Sequence, residues 1–264
     1  MKKKNILFAA GMGVGLMLTS ASVLAQKDSS SVRISFGADV VSSYIWRGSP
    51  SMTPNGTTSS LLSPNLQPNL TASYKNFSAG AWASYDFLGS YYETDLFASY
   101  TLQKLTFTVN DYFWSYNARY FDYKNASTAH IIEAMVTFNG GDECPFYLTV
   151  ATFLYGADKK ATYDPTEADL RKQNYSSYVE AGYRFKVGAS SVTSFIGATP
   201  TDGYYGDGAG VTGRANVKGF QIVNVGVATT KDLLISDRFS VPFKASLVAN
   251  PVLEKVFLVI GFTL

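Results

Sequence analysis

The sequence predicts a transmembrane antiparallel β-barrel, all-β in class, and three observations support that prediction. The first is the segment Val256–Leu264, in which Val256, Leu258 and Ile260 share one apolar face at a period of two residues. We expect this strand to pair with the first strand of the chain, because an open apolar edge promotes aggregation and cannot be left unpaired in lipid. The other two observations are a secretory leader and a long series of alternating segments.

The leader occupies the first 25 residues. Lys2, Lys3 and Lys4 precede an apolar run from Ile6 to Leu18, and small residues ending at Ala25 offer a cleavage site. We therefore predict a signal peptide at residues 1–25 and one outer-membrane β-barrel domain at residues 26–264. The apolar run is too short to be a comfortable transmembrane helix.

The charge balance depends on this leader. The chain has 22 Lys and Arg against 20 Asp and Glu. Without the three signal lysines, 19 positive residues face 20 negative ones, so the apparent basicity gives no reason to expect a nucleic-acid partner. Aromatic residues make up 15% of the chain, which favours strands and membrane interfaces.

About twelve segments alternate between apolar and polar residues, as the strands of a membrane barrel do. In the fourth, for example, Tyr92, Leu96 and Tyr100 oppose Glu93 and Asp95. The predicted strands are Val32–Trp46, Leu66–Lys75, Phe77–Phe87, Tyr92–Leu102, Leu105–Trp114, His130–Phe138, Phe146–Tyr155, Tyr175–Phe185, Ser191–Thr199, Phe220–Thr230, Phe239–Ala249 and Val256–Leu264.

The connections between these strands differ in length on the two sides of the predicted barrel. The set expected outside the cell includes four long connections, whereas the set expected in the periplasm is short except for Lys231–Arg238. Short periplasmic turns and long extracellular loops are typical of outer-membrane barrels. A secreted β-sandwich would also show alternation, but it explains neither this asymmetry nor the apolar final strand.

Two stretches resemble a known family. The first is Val40-Val41-Ser42-Ser43-Tyr44-Ile45-Trp46-Arg47-Gly48. The second is Leu66-Gln67-Pro68-Asn69-Leu70, followed by Tyr74-Lys75-Asn76-Phe77-Ser78-Ala79-Gly80-Ala81-Trp82. They are similar to the opening strands of Gram-negative outer-membrane β-barrel proteins of the porin type, which carry a Ser-x-Tyr-x-(Phe or Trp)-Arg-Gly pattern. The resemblance covers about the first quarter of the mature chain. It implies a location in the cell outer membrane and a barrel fold, but it does not name a solute.

Successive residues of a strand point alternately to lipid and to the lumen, and we call this assignment by position parity. We expect an aromatic girdle at the membrane interfaces, because amphipathic rings favour that position. It comprises Tyr44, Trp46, Tyr74, Tyr92 and Tyr100. In strand 5, Asp111 falls in the lipid-facing phase, so either a bulge shifts the phase or the residue lies above the hydrocarbon.

Ionisable residues in the opposite phase are expected to line the pore, because a charge facing lipid costs about 2–4 kcal/mol at mid-bilayer. These pore-lining candidates are Arg33, Asp39, Arg47, Lys75, Asp86, Glu93, Asp95, Glu133, Glu180, Arg184 and Lys244. Two interpretations are open. Around water these charges would set the selectivity of a narrow channel, whereas paired across the lumen they would form a salt-bridged plug.

The sequence gives little reason to expect an enzyme. His130 is the single histidine, and its phase places it outward at the extracellular interface. A barrel lipid hydrolase would need a serine and an orienting polar partner beside it. Gly208–Gly213 matches a dinucleotide-binding pattern by letter but lacks the strand and helix that such a site requires. We predict no catalytic residues, no metal and no cofactor.

The function predicted from the sequence is passive, porin-like passage of small hydrophilic solutes. The alternatives are a non-conducting structural or surface-interaction barrel and an outer-membrane lipid hydrolase. The expected partners are outer-membrane lipid, the barrel-assembly machinery through the C-terminal strand, and an unknown small solute, with no nucleic acid.

Overall fold

The computed structural model confirms the predicted fold class: twelve antiparallel strands form one closed barrel. It describes residues 31–50, 63–89, 91–114, 118–141, 144–164, 166–205, 219–236 and 239–264. The predicted signal peptide and the Gly208–Gly213 motif lie outside these ranges. No helix within them has the length and apolar character needed to cross a bilayer.

The barrel strands follow one another around the wall in chain order, and the first and last strands close it. They are β1 Arg33–Val41, β4 Asn65–Tyr74, β5 Phe77–Asp86, β6 Tyr92–Leu102, β7 Leu105–Tyr112, β8 Ile131–Asn139, β9 Phe146–Gly156, β10 Ser177–Val187, β11 Ser190–Thr199, β12 Gln221–Ser236, β13 Phe239–Asn250 and β14 Lys255–Thr263. A two-stranded hairpin, β2 Ile45–Trp46 and β3 Ser49–Pro50, and a short helix, α1 Lys160–Tyr163, complete the described elements.

The two ends of the barrel differ as predicted. We call the end with the long connections the loop end and the other the turn end. At the turn end, residues 75–76, 103–104 and 188–189 form tight connections. The prediction for residues 231–238 was wrong in one respect, because residues 231–236 continue β12 in register with β13 and are not a loop.

The outer face of the wall is apolar and exposed. Phe36 and Leu258 are 76% and 68% exposed, while their strand neighbours point inward. In contrast to a water-soluble barrel, this protein keeps its polar side chains inside, which is the arrangement expected in lipid. β7 pairs with both neighbours without a register shift, so Asp111 keeps its outward phase at the loop end of the strand.

The seam between β1 and β14 is short. Asp39, Val40 and Val41 of β1 pair in register with β14, and backbone hydrogen bonds continue the seam to Ala38 and Ser42, whereas all nine residues of β1 pair with β4. Side-chain contacts reinforce the seam: the Lys244 ammonium lies 2.7 Å from the Asp39 carboxylate, and the Thr263 hydroxyl donates to the same carboxylate at 2.6 Å.

Candidate functional site

The first strand is shorter than the sequence predicted, and the residues after it fold into the lumen. β1 ends at Val41, and residues 44–50 form a tight hairpin that we call the inner hairpin. At its tip Arg47 and Gly48 have φ values of 49° and 81°, as in a two-residue turn with both central residues left-handed. Glycine is required at the second position, because a Cβ on Gly48 would lie 2.0 Å from the Val223 carbonyl oxygen.

The predicted girdle positions of Tyr44 and Trp46 are therefore wrong. Tyr44 is 6% exposed and packs against Trp82 and Tyr91 inside the barrel. The Trp46 ring is stacked on Phe153 at 6.4 Å between centroids. The parity argument failed here because it assumed that the strand runs straight through Trp46, whereas the chain leaves the wall after Val41. The structure places the other girdle residues, Tyr74, Tyr92 and Tyr100, on the outer face.

The inner hairpin crosses the lumen from wall to wall. On one side Tyr44 contacts Trp82 of β5. On the other side the amide of Asn250 in β13 donates to the Gly48 carbonyl oxygen at 3.1 Å. The side chains of Tyr44, Ile45 and Arg47 are almost completely buried, so this segment fills the loop-end half of the lumen.

An ion pair at the centre of the lumen holds the hairpin tip. The Arg47 guanidinium donates from two nitrogens to the two carboxylate oxygens of Glu133, at 2.6 and 3.0 Å. Neither side chain is exposed to solvent. Glu133 also accepts hydrogen bonds from Asn110, Tyr112 and Tyr205. This carboxylate is thus fully hydrogen-bonded, which is what allows a buried charge pair to persist.

Aromatic rings enclose the same guanidinium. The Arg47 Cζ lies 4.6 Å from the centroids of both Trp46 and Tyr178, and 5.3 Å from that of Tyr205. A desolvated cation over several ring faces gains about 2 kcal/mol or more. Trp46 belongs to the inner hairpin and Tyr205 to the connection after β11, whereas Tyr178 belongs to the wall.

Two β-bulges shape the wall around this ion pair. One lies between β8 and β9 beside Glu133, and the other lies between β11 and β12 beside Gly197. At the second bulge, Val223 and Asn224 are consecutive residues that are both fully buried. Bulges re-aim side chains and are frequent beside functional sites.

A second carboxylate, Glu180, lies on the wall next to the enclosed guanidinium. It accepts hydrogen bonds from Tyr178, from Tyr147 at 2.7 Å and from Asn224 at 2.9 Å. All these donors are neutral. Glu180 therefore stands close to Arg47 without a cationic hydrogen-bond partner of its own among the described residues.

The remaining pore-lining candidates fall into three groups. Asp39, Asp86, Glu93, Asp95 and Lys244 are buried inside the barrel, and Lys244 pairs with Asp39. Arg33 and Arg184 lie toward the turn end and are only partly buried. Lys75 does not line the lumen: it is exposed in the β4–β5 turn with φ 53°, beside the Tyr74 ring. The prediction for Lys75 was wrong because it extended the strand into the turn.

Hydroxyl groups characterise the turn-end half of the lumen. Partly exposed serine and threonine side chains lie there on inward positions of the wall, among them Ser35, Thr71, Ser73, Ser78, Ser99 and Thr193. The partial exposure of these side chains contrasts with Thr106, Thr137 and Thr149, which lie on inward positions at the same end and are almost completely buried.

Residues that the sequence did not single out complete the site. Asn110, Tyr112, Tyr178 and Asn224 share the inward phase of their strands, so parity could have identified them as lumen residues. Tyr205 lies in a connection with no periodicity, and nothing in the sequence predicts that it reaches Glu133.

His130 has a different environment from the one predicted. It is fully buried, and the residues from Tyr120 to Tyr123 fold over it. Its Nδ1 lies 2.7 Å from an Asp111 carboxylate oxygen, and its Nε2 faces the Tyr120 carbonyl oxygen. In a hydrolase that nitrogen would face a nucleophile, so this arrangement gives no support to lipid hydrolysis.

The same cluster contains the hydroxyl group of Tyr123. The Tyr123 hydroxyl donates to Asp111 at 2.7 Å. Desolvation, together with this hydrogen bond and the nearby negative charge, raises the pKa of Tyr123. The cluster thus fastens the connection between β7 and β8 to the outer wall.

We expect His130→Ala to release this connection. Loss of buried hydrogen bonds costs about 1–3 kcal/mol, so limited trypsin digestion after Arg119 and Lys124 should accelerate roughly tenfold. Phe121→Ala is the matched control, because Phe121 is 89% exposed and should leave the cleavage rate unchanged. Equal rates for His130→Ala and the unmodified protein would contradict the role of the cluster.

Among the described residues, no group of three or more His, Cys, Asp or Glu side chains is arranged to hold a metal ion.

Comparison with known proteins gives distant likenesses. No family model and no curated protein matches the chain. Among solved structures, a membrane protein studied for its in-meso crystallisation is 7% identical, with a TM-score of 0.39 over 87% of this chain and 82% of that one. A porin is 11% identical, with a TM-score of 0.34 over 89% of this chain and all of the other. Neither likeness is close enough to carry an argument about function.

Proposed function

We propose that this protein is an outer-membrane channel for small hydrophilic solutes, closed in this conformation by the inner hairpin. The observation that carries the proposal is the Arg47–Glu133 ion pair, which joins a segment that is not part of the wall to the wall itself. Signal-directed export, the loop end facing outward and assembly through the C-terminal strand by the barrel-assembly machinery belong to the same proposal.

The division of the lumen supports a closed channel. A barrel that only served as a scaffold would have no need of partly exposed hydroxyl groups on the inward positions of its turn-end half. The loop-end half is filled by a short hairpin, which is held against the wall by non-covalent contacts. Such a segment can move while the strands of the wall stay in place. A hydrophilic lumen with a movable constriction is the arrangement that passes small polar solutes.

The test is the conductance of single barrels in planar lipid bilayers. Removing Arg47 leaves Glu133 buried without its counter-charge, which costs about 3–5 kcal/mol unless water enters the lumen. We therefore expect Arg47→Ala to increase the open probability at least tenfold over the unmodified protein. Arg171→Ala is the matched control, because this arginine is exposed and its side chain pairs only with Asp169 in the described part of the chain.

A non-conducting barrel is the second candidate, and the burial of the inner hairpin favours it. Three clusters of buried apolar residues include or pack against Tyr44, Ile45 and Trp46. If neither the unmodified protein nor Arg47→Ala carries unitary current, the channel proposal fails and the barrel acts through its surface loops.

A further inference from the structure

We propose that the wall around Glu133 is a binding site for a guanidinium-bearing solute. The Arg47 guanidinium fills this site while the inner hairpin lies in the lumen. The inference deepens the proposed function and rests on it, because the solute would reach this site only when the inner hairpin moves aside. It assigns a chemical class to the solute.

The geometry of the wall is complementary to a planar cation. Glu133 receives Arg47 through two parallel hydrogen bonds, the fork geometry that a guanidinium makes and an ammonium does not. Tyr178 offers its ring face at 4.6 Å from the guanidinium carbon. Glu133 and Tyr178 both belong to the wall, on β8 and β10, so they remain in place when the hairpin leaves.

Charge also favours a cationic occupant. With Arg47 removed, Glu133 and Glu180 would line one cavity, and the donors around them are neutral amides and hydroxyls. Lys244 does not neutralise the charges of these two carboxylates, because it is paired with Asp39. An anionic or neutral solute would leave these carboxylates without a counter-charge.

The site has hydrogen-bonding capacity that Arg47 does not use. The Asn224 Oδ1 atom is buried without a hydrogen-bond partner among the described residues. Its own amide nitrogen donates to Tyr178 and Glu180, so the side chain belongs to the same cavity. The Arg47 Nε is likewise buried with no hydrogen-bond partner in the part of the chain that the structure describes. A free solute, not constrained by the hairpin backbone, can direct an N–H toward Asn224.

The test is chemical rescue of a variant that lacks the Arg47 guanidinium. Full-length mature Arg47→Ala protein in detergent micelles is titrated with ethylguanidinium at millimolar concentrations, and its thermal unfolding midpoint is measured. We expect a saturable increase of about 2–4 °C. Ethylammonium at the same concentration tests whether charge alone is sufficient, and urea tests whether planar hydrogen bonding alone is sufficient. We expect both to raise the unfolding midpoint less than ethylguanidinium does.

Two further variants keep the test decisive. Arg47→Ala combined with Glu133→Gln should lose the rescue, because the carboxylate fork is gone. If Arg47→Ala does not fold, Arg47→Met, which keeps an unbranched side chain that fills more of the space, replaces it in the same titration.

The possible results separate this inference from the proposed function. An absent shift, an equal shift with ethylammonium, or a shift that survives Glu133→Gln would overturn the guanidinium site. Rescue without current in any variant would support the site and refute the channel. Current through Arg47→Ala without rescue would support the channel and refute the site.

Discussion

Replacing Lys244 with methionine should lower the free energy of unfolding by about 3–5 kcal/mol, the cost of leaving a buried charge without its partner. Lys244 and Asp39 are 1% and 2% exposed, and their charged groups are 2.7 Å apart. After the substitution the Asp39 carboxylate would keep only the Thr263 hydroxyl among the contacts described above. The effect should be large because the pair reinforces the short β1–β14 seam.

The measurement is urea-induced unfolding in micelles, followed by the shift in gel mobility between folded and heated barrels. The double variant Asp39→Leu/Lys244→Met is the control, because removing both charges together is often neutral or stabilising. We expect it to recover most of the lost stability. A single variant as stable as the unmodified protein would show that the pair does not hold the seam.

Replacing Gly182 with leucine should have the second largest effect, a loss of about 3 kcal/mol or more. Gly182 pairs with Tyr147 across the β9–β10 ladder, and a Cβ at this glycine would lie 2.1 Å from the tyrosine ring. The ring must therefore move. Its movement breaks the hydrogen bond from Tyr147 to the Oε1 atom of Glu180, while Tyr178 and Asn224 still donate to Oε2, so one unsatisfied buried carboxylate oxygen adds to the cost of overpacking.

Gly37→Ala is the matched control for this prediction. Gly37 also lies on an inward position of a barrel strand, but an added Cβ would meet its nearest neighbour, Asn69, at 3.5 Å. Ordinary contact of this kind should change stability by less than about 1 kcal/mol. The same urea titration compares the two variants, and equal stability of both would contradict the role assigned to the Tyr147 ring.

The fold was predictable because a barrel in lipid imposes a repeating pattern. Each strand must alternate between lipid and lumen, so the alternation alone identifies Asp39, Glu133 and Glu180 as inward residues. The number of strands and the asymmetry of the two ends followed from the same pattern and from connection length.

The candidate site was only partly predictable, since parity holds only where the chain stays in the wall. Tyr44, Trp46 and Arg47 continue the alternation of the first strand by letter, and nothing in that alternation indicates that the chain turns inward at Ser42. The bulges beside Glu133 and Asn224 depend on the register between two consecutive strands, which the alternation within one strand does not reveal. Arg47 was expected inside the barrel, but its partner could not be chosen among the inward acids.

The position of the inner hairpin constrains the order of events during biogenesis. The hairpin follows the first strand in the chain, yet it rests on Val223 and Asn250, which belong to two of the last three strands. It can therefore reach its final position only after these late strands have joined the wall, by folding in through the loop end, which is also the route along which it would leave when the channel opens. An insertion between Arg47 and Gly48 would consequently leave the barrel able to close, with the hairpin held outside the lumen.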